Sequence, residues 1–269
     1  MRARSFPFRY VLGTRVDATT YEAASEQITK WAQTGQSRYV CAANVHMIME
    51  AYDNTQFRQI VNSADLVTSD GMPLVWVLQQ LGISDATRVY GPDLMLSVCR
   101  LAEQKQIPVG IYGGHEAYRR PLLGQLQRWF PRLPIVFSAA PPGEVSPEDD
   151  ERFVREFHAA GARILFVGLG CPRQERWMLE HKGRIPATMI GVGAAFDFFS
   201  GRIPQAPPWM QQLGLEWCYR IIQDPKRLWR RYLIHNPRFL VLIFLQFMGW
   251  HWCSRRRCGN SRRFLVRRL

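Results

Sequence analysis

The 269-residue sequence contains no C-x-x-C pair and no Asp-x-Asp pair. Its six cysteines are scattered without metal-ligand spacing, so free thiols and a reducing, cytoplasmic setting are expected. No G-x-x-x-x-G-K-[ST] occurs, which excludes a P-loop nucleotidase. Two glycine pairs, in GLGCPRQE (Gly168–Glu175) and GVGAAFDFFSG (Gly191–Gly201), stop short of G-x-G-x-x-G, because Arg173 and Phe196 stand at the third-glycine position. That argues against a dinucleotide dehydrogenase. Without paired carboxylates no divalent metal is expected at a nucleotide diphosphate, whose charge would fall to arginines and helix N-termini. His46, His115, His158, His181 and His235 show neither ligand spacing nor pairing with a nucleophile. His115 opens a helix, where it can help to hold phosphate. No long apolar stretch follows the basic start MRARSFPFRYVLG, so no signal peptide is expected.

What is present is a lopsided charge. Of the net +13, residues 220–269 carry +12, with thirteen basic residues against Asp224 alone. Residues 1–219 hold 22 basic and 21 acidic side chains. A near-neutral body with a basic tail calls for a polyanionic partner, either nucleic acid or an anionic membrane. Inside the tail, FLVLIFLQFMGWHW (Phe239–Trp252) is fourteen residues without formal charge. It is short of the roughly 20 needed to span a bilayer and suits an interfacial or a last core helix. Flanking arginines and the pair Trp250 and Trp252 favour the headgroup region. A phosphate-tracking groove would instead interleave cations with single aromatics, so nucleic acid is disfavoured.

Short apolar runs alternate with amphipathic segments, as in a parallel α/β sheet. Strands are expected at Arg38–Ala43, Asp65–Thr68, Val109–Tyr112, Ile135–Phe137, Ile164–Val167 and Thr188–Gly191. Helices are expected at Tyr21–Thr34, Met47–Asn62, Pro73–Leu81, Asp93–Gln104, Ala117–Trp129, Pro147–Ala160 and Pro172–His181. A proline-rich connection (Pro204–Pro208) divides a catalytic domain, 1–208, from a helical, basic C-terminal appendage, 209–269. Asn44, Asp70, Gly113–Gly114, Gly168–Gly170 and Gly191–Gly193 each follow a strand directly. Ligands of open α/β sheets bind beyond the carboxyl ends of the strands, so all five should gather on one edge.

Asp70, in LVTSDGMPL, has two readings: a helix N-cap, or a general base for an attacking hydroxyl with Gly71 leaving room beside it. The two glycine pairs can offer backbone N–H groups to phosphate. Arg220, Arg227 and Arg230, spaced i, i+7, i+10, would share one side of a continuous helix, although Pro225 interrupts it. They serve either a diphosphate or lipid headgroups.

Several ordered motifs together resemble the WecG/TagA/CpsF family of glycosyltransferases from about Val40 to Arg231. They are the Asn44 turn, N-x-A-D-x-x-x-x-D-G over Asn62–Gly71, R-V-x-G-x-D-L over Arg88–Leu94, V-G-L-G-x-P-R-Q-E-x-W over Val167–Trp177, GVGAAFDFFSG, and L-G-L-E-W with the arginines that follow it, over Leu213–Arg230. The resemblance implies a Rossmann-like α/β fold, helices on both faces of a parallel sheet, and a membrane-targeting appendage. It implies an inverting transfer, without metal or cofactor, from a UDP-sugar to a polyprenyl-diphosphate-linked saccharide in surface or exopolysaccharide synthesis. Asp70 would be the base, with Asn44, Arg88 and Asp93 at the sugar and acceptor. Gly113, Gly114, Gly168, Gly170, Pro172, Gln174, Glu175, Gly193, Phe196 and Asp197 would line the nucleotide-sugar site. Arg220, Arg227 and Arg230 would reach the diphosphate. Known donors in the family include UDP-N-acetylmannosamine and its uronic acid, and other members resemble glucosyltransferases. Ala42 stands where several relatives have threonine, removing one polar contact. The enzyme would sit peripherally on the inner face of the plasma membrane. The alternative is a non-enzymatic adaptor that uses its basic tail.

Overall fold

The computed structural model describes residues 6–141 and 145–249. The chain opens with a hairpin, β1 (Phe8–Val11) and β2 (Thr14–Asp17), paired antiparallel. This hairpin is absent from the expected elements. Its two-residue turn puts Leu12 at φ +50° and Gly13 at φ +82°, a turn that asparagine or aspartate usually starts. With leucine there, the local signal is muted.

Helix α1 (Tyr21–Gln33) leads into β3 (Arg38–Ala43), and α2 (Val45–Asp53) and α3 (Thr55–Asn62) follow. The single helix expected over Met47–Asn62 is thus broken. Asn54 ends α2 in an extended conformation, and its side chain accepts the Phe57 N–H to start α3. Next come β4 (Leu66–Ser69), α4 (Met72–Gln80), α5 (Gly91–Gln104), β5 (Val109–Gly113), α6 (Glu116–Trp129), β6 (Ile135–Ala139) and α7 (Pro147–Ala160). The body closes with β7 (Ile164–Gly168), α8 (Arg173–His181), β8 (Thr188–Gly191) and α9 (Ala195–Phe199). The six strands β3–β8 lie in one sheet, ordered β4-β3-β8-β7-β5-β6, and every pairing is parallel. All six match expected strands to within two residues.

Strand periodicity sorts the core into two layers. Tyr39, Cys41, Ala43, Leu165, Val167 and Met189 face one layer, with residues of α2, α3, α4, α7 and α8. Val40, Ile164, Phe166 and Ile190 face the other, with α1, α5, α6 and α9. Helices therefore cover both faces of the sheet. The hairpin protects the β4 edge: Asp17 accepts the Val67 N–H at 2.7 Å while paired with Arg15 at 2.8 Å, both side chains buried.

Beyond Pro207 lie α10 (Pro208–Gln212), α11 (Glu216–Gln223) and α12 (Pro225–Phe247). Arg220 is on α11, whereas Arg227 and Arg230 are on α12, with the break at Asp224 and Pro225. The three therefore do not share one continuous helix, as the i, i+7, i+10 spacing assumes. The side chains of Arg227 and Arg230, and all residues from Trp250 on, lie outside the described ones. Helix α12 lies against α2 and the hairpin. Phe239 and Ile243 enter the first core layer, Arg238 pairs with Asp53 at 2.5 and 2.6 Å, and Gln246 bonds the backbone of Tyr10 and Leu12. The opposite side of α12 exposes Leu233, Leu240, Val241 and Phe244, with Met248 exposed just past its end. The described part of the apolar run, residues 239–249, thus buries one side in the core and exposes the other. No helix among the described residues is long and apolar enough to cross a membrane.

Candidate active site

The carboxyl ends of β3, β4, β5, β7 and β8 open onto two cavities that share one wall. The first, about 370 Å³, is polar, within the usual range for a small-ligand pocket. Asn44, Asp70, Gly114, Gly168, Gly170, Gln174, Gly193, Phe196, Asp197 and Arg220 all line it. The second, about 330 Å³, is mainly apolar and runs between α4 and the C-terminal helices, past Trp76, Leu213, Trp217, Phe239 and Leu240. Asn44 and Asp70 belong to both.

Asp70 follows β4 directly, and its N-cap reading is excluded. Gly71 caps α4 without a side-chain bond. The Asp70 carboxylate instead turns across the sheet edge: Oδ1 accepts the Gly91 N–H at 2.6 Å, and Oδ2 accepts from Asn44 Nδ2 at 3.3 Å. Asn44 is held for this by capping α2 through its Oδ1, which accepts the Met47 N–H at 3.2 Å. Burial pushes the Asp70 carboxyl up to about 6, while Arg88, the Gly91 N–H and Asn44 pull it back. Such a carboxylate is ionised at neutral pH yet basic enough to take a proton, as a general base requires.

Arg88 lies on the apolar side. Its Nε donates to the Asp70 carbonyl at 2.7 Å, its guanidinium covers the Tyr90 ring at 4.1 Å, and its Nη2 pairs with Glu216 at 2.7 Å. Glu216 also accepts from Tyr90 Oη at 2.8 Å. Glu216 is a site residue that the sequence reading missed. It sits 128 positions from Arg88, and its signal was the glutamate of the quoted L-G-L-E-W motif. Through it, α11 is tied to the loop beside Asp70.

Around the polar cavity, backbone closeness makes room for a ligand. A Cβ on Gly168 would meet the Phe196 ring at 2.3 Å, so only glycine lets that ring roof the turn. Gly113, at φ +113°, lies off the lining and brings β5 against the Gly168 backbone. Gln174 accepts the Gly193 N–H at 3.2 Å, joining the two glycine turns. Cations at the cavity are Arg173, Arg220 and Arg202, the last paired with Asp197 at 2.8 Å. His115 lines it as the N-cap of α6. Besides Gly113, three expected site residues line neither cavity. Glu175 is fully buried and accepts from Gln174, which lines the cavity, at 2.7 Å. Pro172 is flanked by lining residues without lining it, and Asp93 bonds Tyr21 Oη at 3.3 Å outside both cavities.

The model of the glycosyl transferase WecG/TagA/CpsF family matches residues 9–251. The chain belongs to this family. A curated relative from Bacillus spizizenii is 30% identical over 229 residues, 85% of this chain and 87% of its own. It is named N-acetylglucosaminyldiphosphoundecaprenol N-acetyl-beta-D-mannosaminyltransferase. As a WecG/TagA/CpsF member the protein is a glycosyltransferase of cell-envelope polysaccharide synthesis, and the adaptor alternative falls away.

Proposed function

We propose that the protein transfers a sugar from a UDP-sugar to a polyprenyl-diphosphate-linked N-acetylglucosamine, with inversion and without a metal ion. The observation that carries this reading is the position of Asp70 on the wall common to a polar and an apolar cavity. The polar side, with its glycine turns and arginines, suits a nucleotide diphosphate. The apolar side suits an acceptor bearing a prenyl chain.

In this account the acceptor hydroxyl loses its proton to Asp70 and attacks the anomeric carbon from the face opposite UDP. The C–O bond to the diphosphate breaks, and the electron pair leaves with UDP. One base suffices, since a single displacement has no covalent intermediate to resolve. Arg220 and the N–H groups of the glycine turns meet the charge that develops on the leaving group. Arg227 and Arg230 take the same role from α12. The name of the B. spizizenii relative supports N-acetylglucosaminyl-diphosphate lipid as acceptor and UDP-N-acetylmannosamine as the first donor to try, with its uronic acid and UDP-glucose after it.

The exposed apolar residues of α12 and the basic tail bring the acceptor cavity to an anionic bilayer, at the inner face of the plasma membrane. Each basic residue near such a surface adds about 1 kcal/mol of attraction.

The test is transfer from a panel of UDP-sugars to synthetic prenyl-diphosphate N-acetylglucosamine in detergent, with the product's anomeric configuration read by NMR. Transfer from one donor, with inversion and no need of added Mg²⁺ or Mn²⁺, is expected. Retention, or strict dependence on an added divalent ion, overturns the mechanism.

A further inference from the structure

Histidines without any ligand spacing in the sequence come together where α12 meets α2. His46 and Glu50 are i and i+4 on α2 and so share one face. His235 arrives from α12, and its ring stacks on that of His46 with centroids 5.5 Å apart. One ligand atom from each of the three lies within 4.8 Å of the others, the His46 Nδ1–Glu50 Oε1 separation being 3.9 Å. The His235 Nδ1 atom is buried with no hydrogen-bond partner among the described residues, an arrangement that costs free energy unless something is bound there.

We propose that His46, Glu50 and His235 form a site for a divalent transition metal of the zinc class, which pins α12 to α2. Two imidazoles and one carboxylate are a common zinc donor set, and partial exposure of all three leaves a fourth position for water. Ligand atoms around a tetrahedral zinc stand roughly 3.3 Å apart, given bonds of about 2.0–2.1 Å. The present separations, all within 4.8 Å, are in reach of that by turning side chains. The rings now lie 26° from parallel, so one imidazole must rotate about its Cβ–Cγ bond to aim its lone pair.

The metal's role is positional. It sits opposite the apolar row of α12, and His46 itself lines the apolar cavity with Tyr232 and Asn236. Occupancy would hold one wall of that cavity. Nothing in the sugar-transfer chemistry requires it, so failure of this proposal leaves the reaction untouched.

The test uses the full chain in detergent with Cys253→Ser and Cys258→Ser, which removes two thiols that also bind zinc. Zinc titration by calorimetry should give one saturable equivalent and raise the thermal midpoint. Cobalt in its place should give visible bands without thiolate charge transfer. Glu50→Gln and His235→Ala should each lose that equivalent and its thermal shift, and Glu50→Gln alters only a side chain that is 36% exposed, so it keeps the test valid if His235→Ala misfolds. The absence of a saturable equivalent overturns the proposal. So does an equivalent that survives both substitutions.

Discussion

Replacing Asp70 with asparagine should cut transfer by about 10²–10⁴ and at the same time stabilise the fold. The carboxyl is held at about 6 instead of its ordinary 3.8, chiefly by burial. Two units of raised pKa correspond to about 2–3 kcal/mol by which the ionised group destabilises the native state. The sign follows from linkage. An acid whose folded pKa is raised stabilises the fold when protonated, and this is lost as pH rises from about 4 through about 6. Asparagine carries no such charge, and its Oδ1 can still accept the Gly91 N–H that Asp70 accepts at 2.6 Å. At pH 7.5 the variant should therefore be more stable by about 2 kcal/mol. That advantage should shrink as pH falls from 6 to 4. Urea unfolding of both proteins at pH 7.5, 5.5 and 4, followed by tryptophan fluorescence, gives the difference at each pH. A difference that does not change with pH refutes the reasoning, whatever its size.

Other perturbations probe the surroundings of Asp70. Glu216→Gln removes a negative charge that raises the Asp70 pKa and frees Arg88, which lowers it. The acid limb of the kcat/KM profile, expected near pH 6 in the wild type, should move to lower pH. Gly168→Ala places a methyl 2.3 Å from the Phe196 ring and should displace it, weakening UDP binding at least tenfold by calorimetry. Leu240→Glu with Phe244→Glu changes side chains that are already exposed. Co-sedimentation with anionic vesicles should fall while the thermal midpoint stays within a few degrees.

Much of this architecture is legible in the sequence because local and global signals agree. Each central strand is an apolar run ended by glycine or a polar residue, and those endings mark the ligand edge. What escapes is set by contacts distant in sequence. Glu216 reaches Arg88 only after α11 folds back over the sheet edge. Glu175 adjoins Gln174 in the motif, yet a helix turns successive side chains about 100° apart, so Gln174 meets the cavity while Glu175 points into the core. The break at Asn54 was readable, since asparagine before threonine is a good N-cap, but the apolar periodicity running through it hid the signal. Leu12 at a positive φ hid the hairpin in the same way.

The central claim is that Asp70 is the base shared by a donor cavity and an acceptor cavity. Its most direct test is transfer by wild type and Asp70→Asn with the same donor and lipid acceptor, alongside UDP affinity for both. The account predicts a loss of about 10²–10⁴ in rate with UDP affinity unchanged within a few-fold. A variant that keeps its rate within a few-fold, or that loses UDP binding in step with its rate, contradicts it.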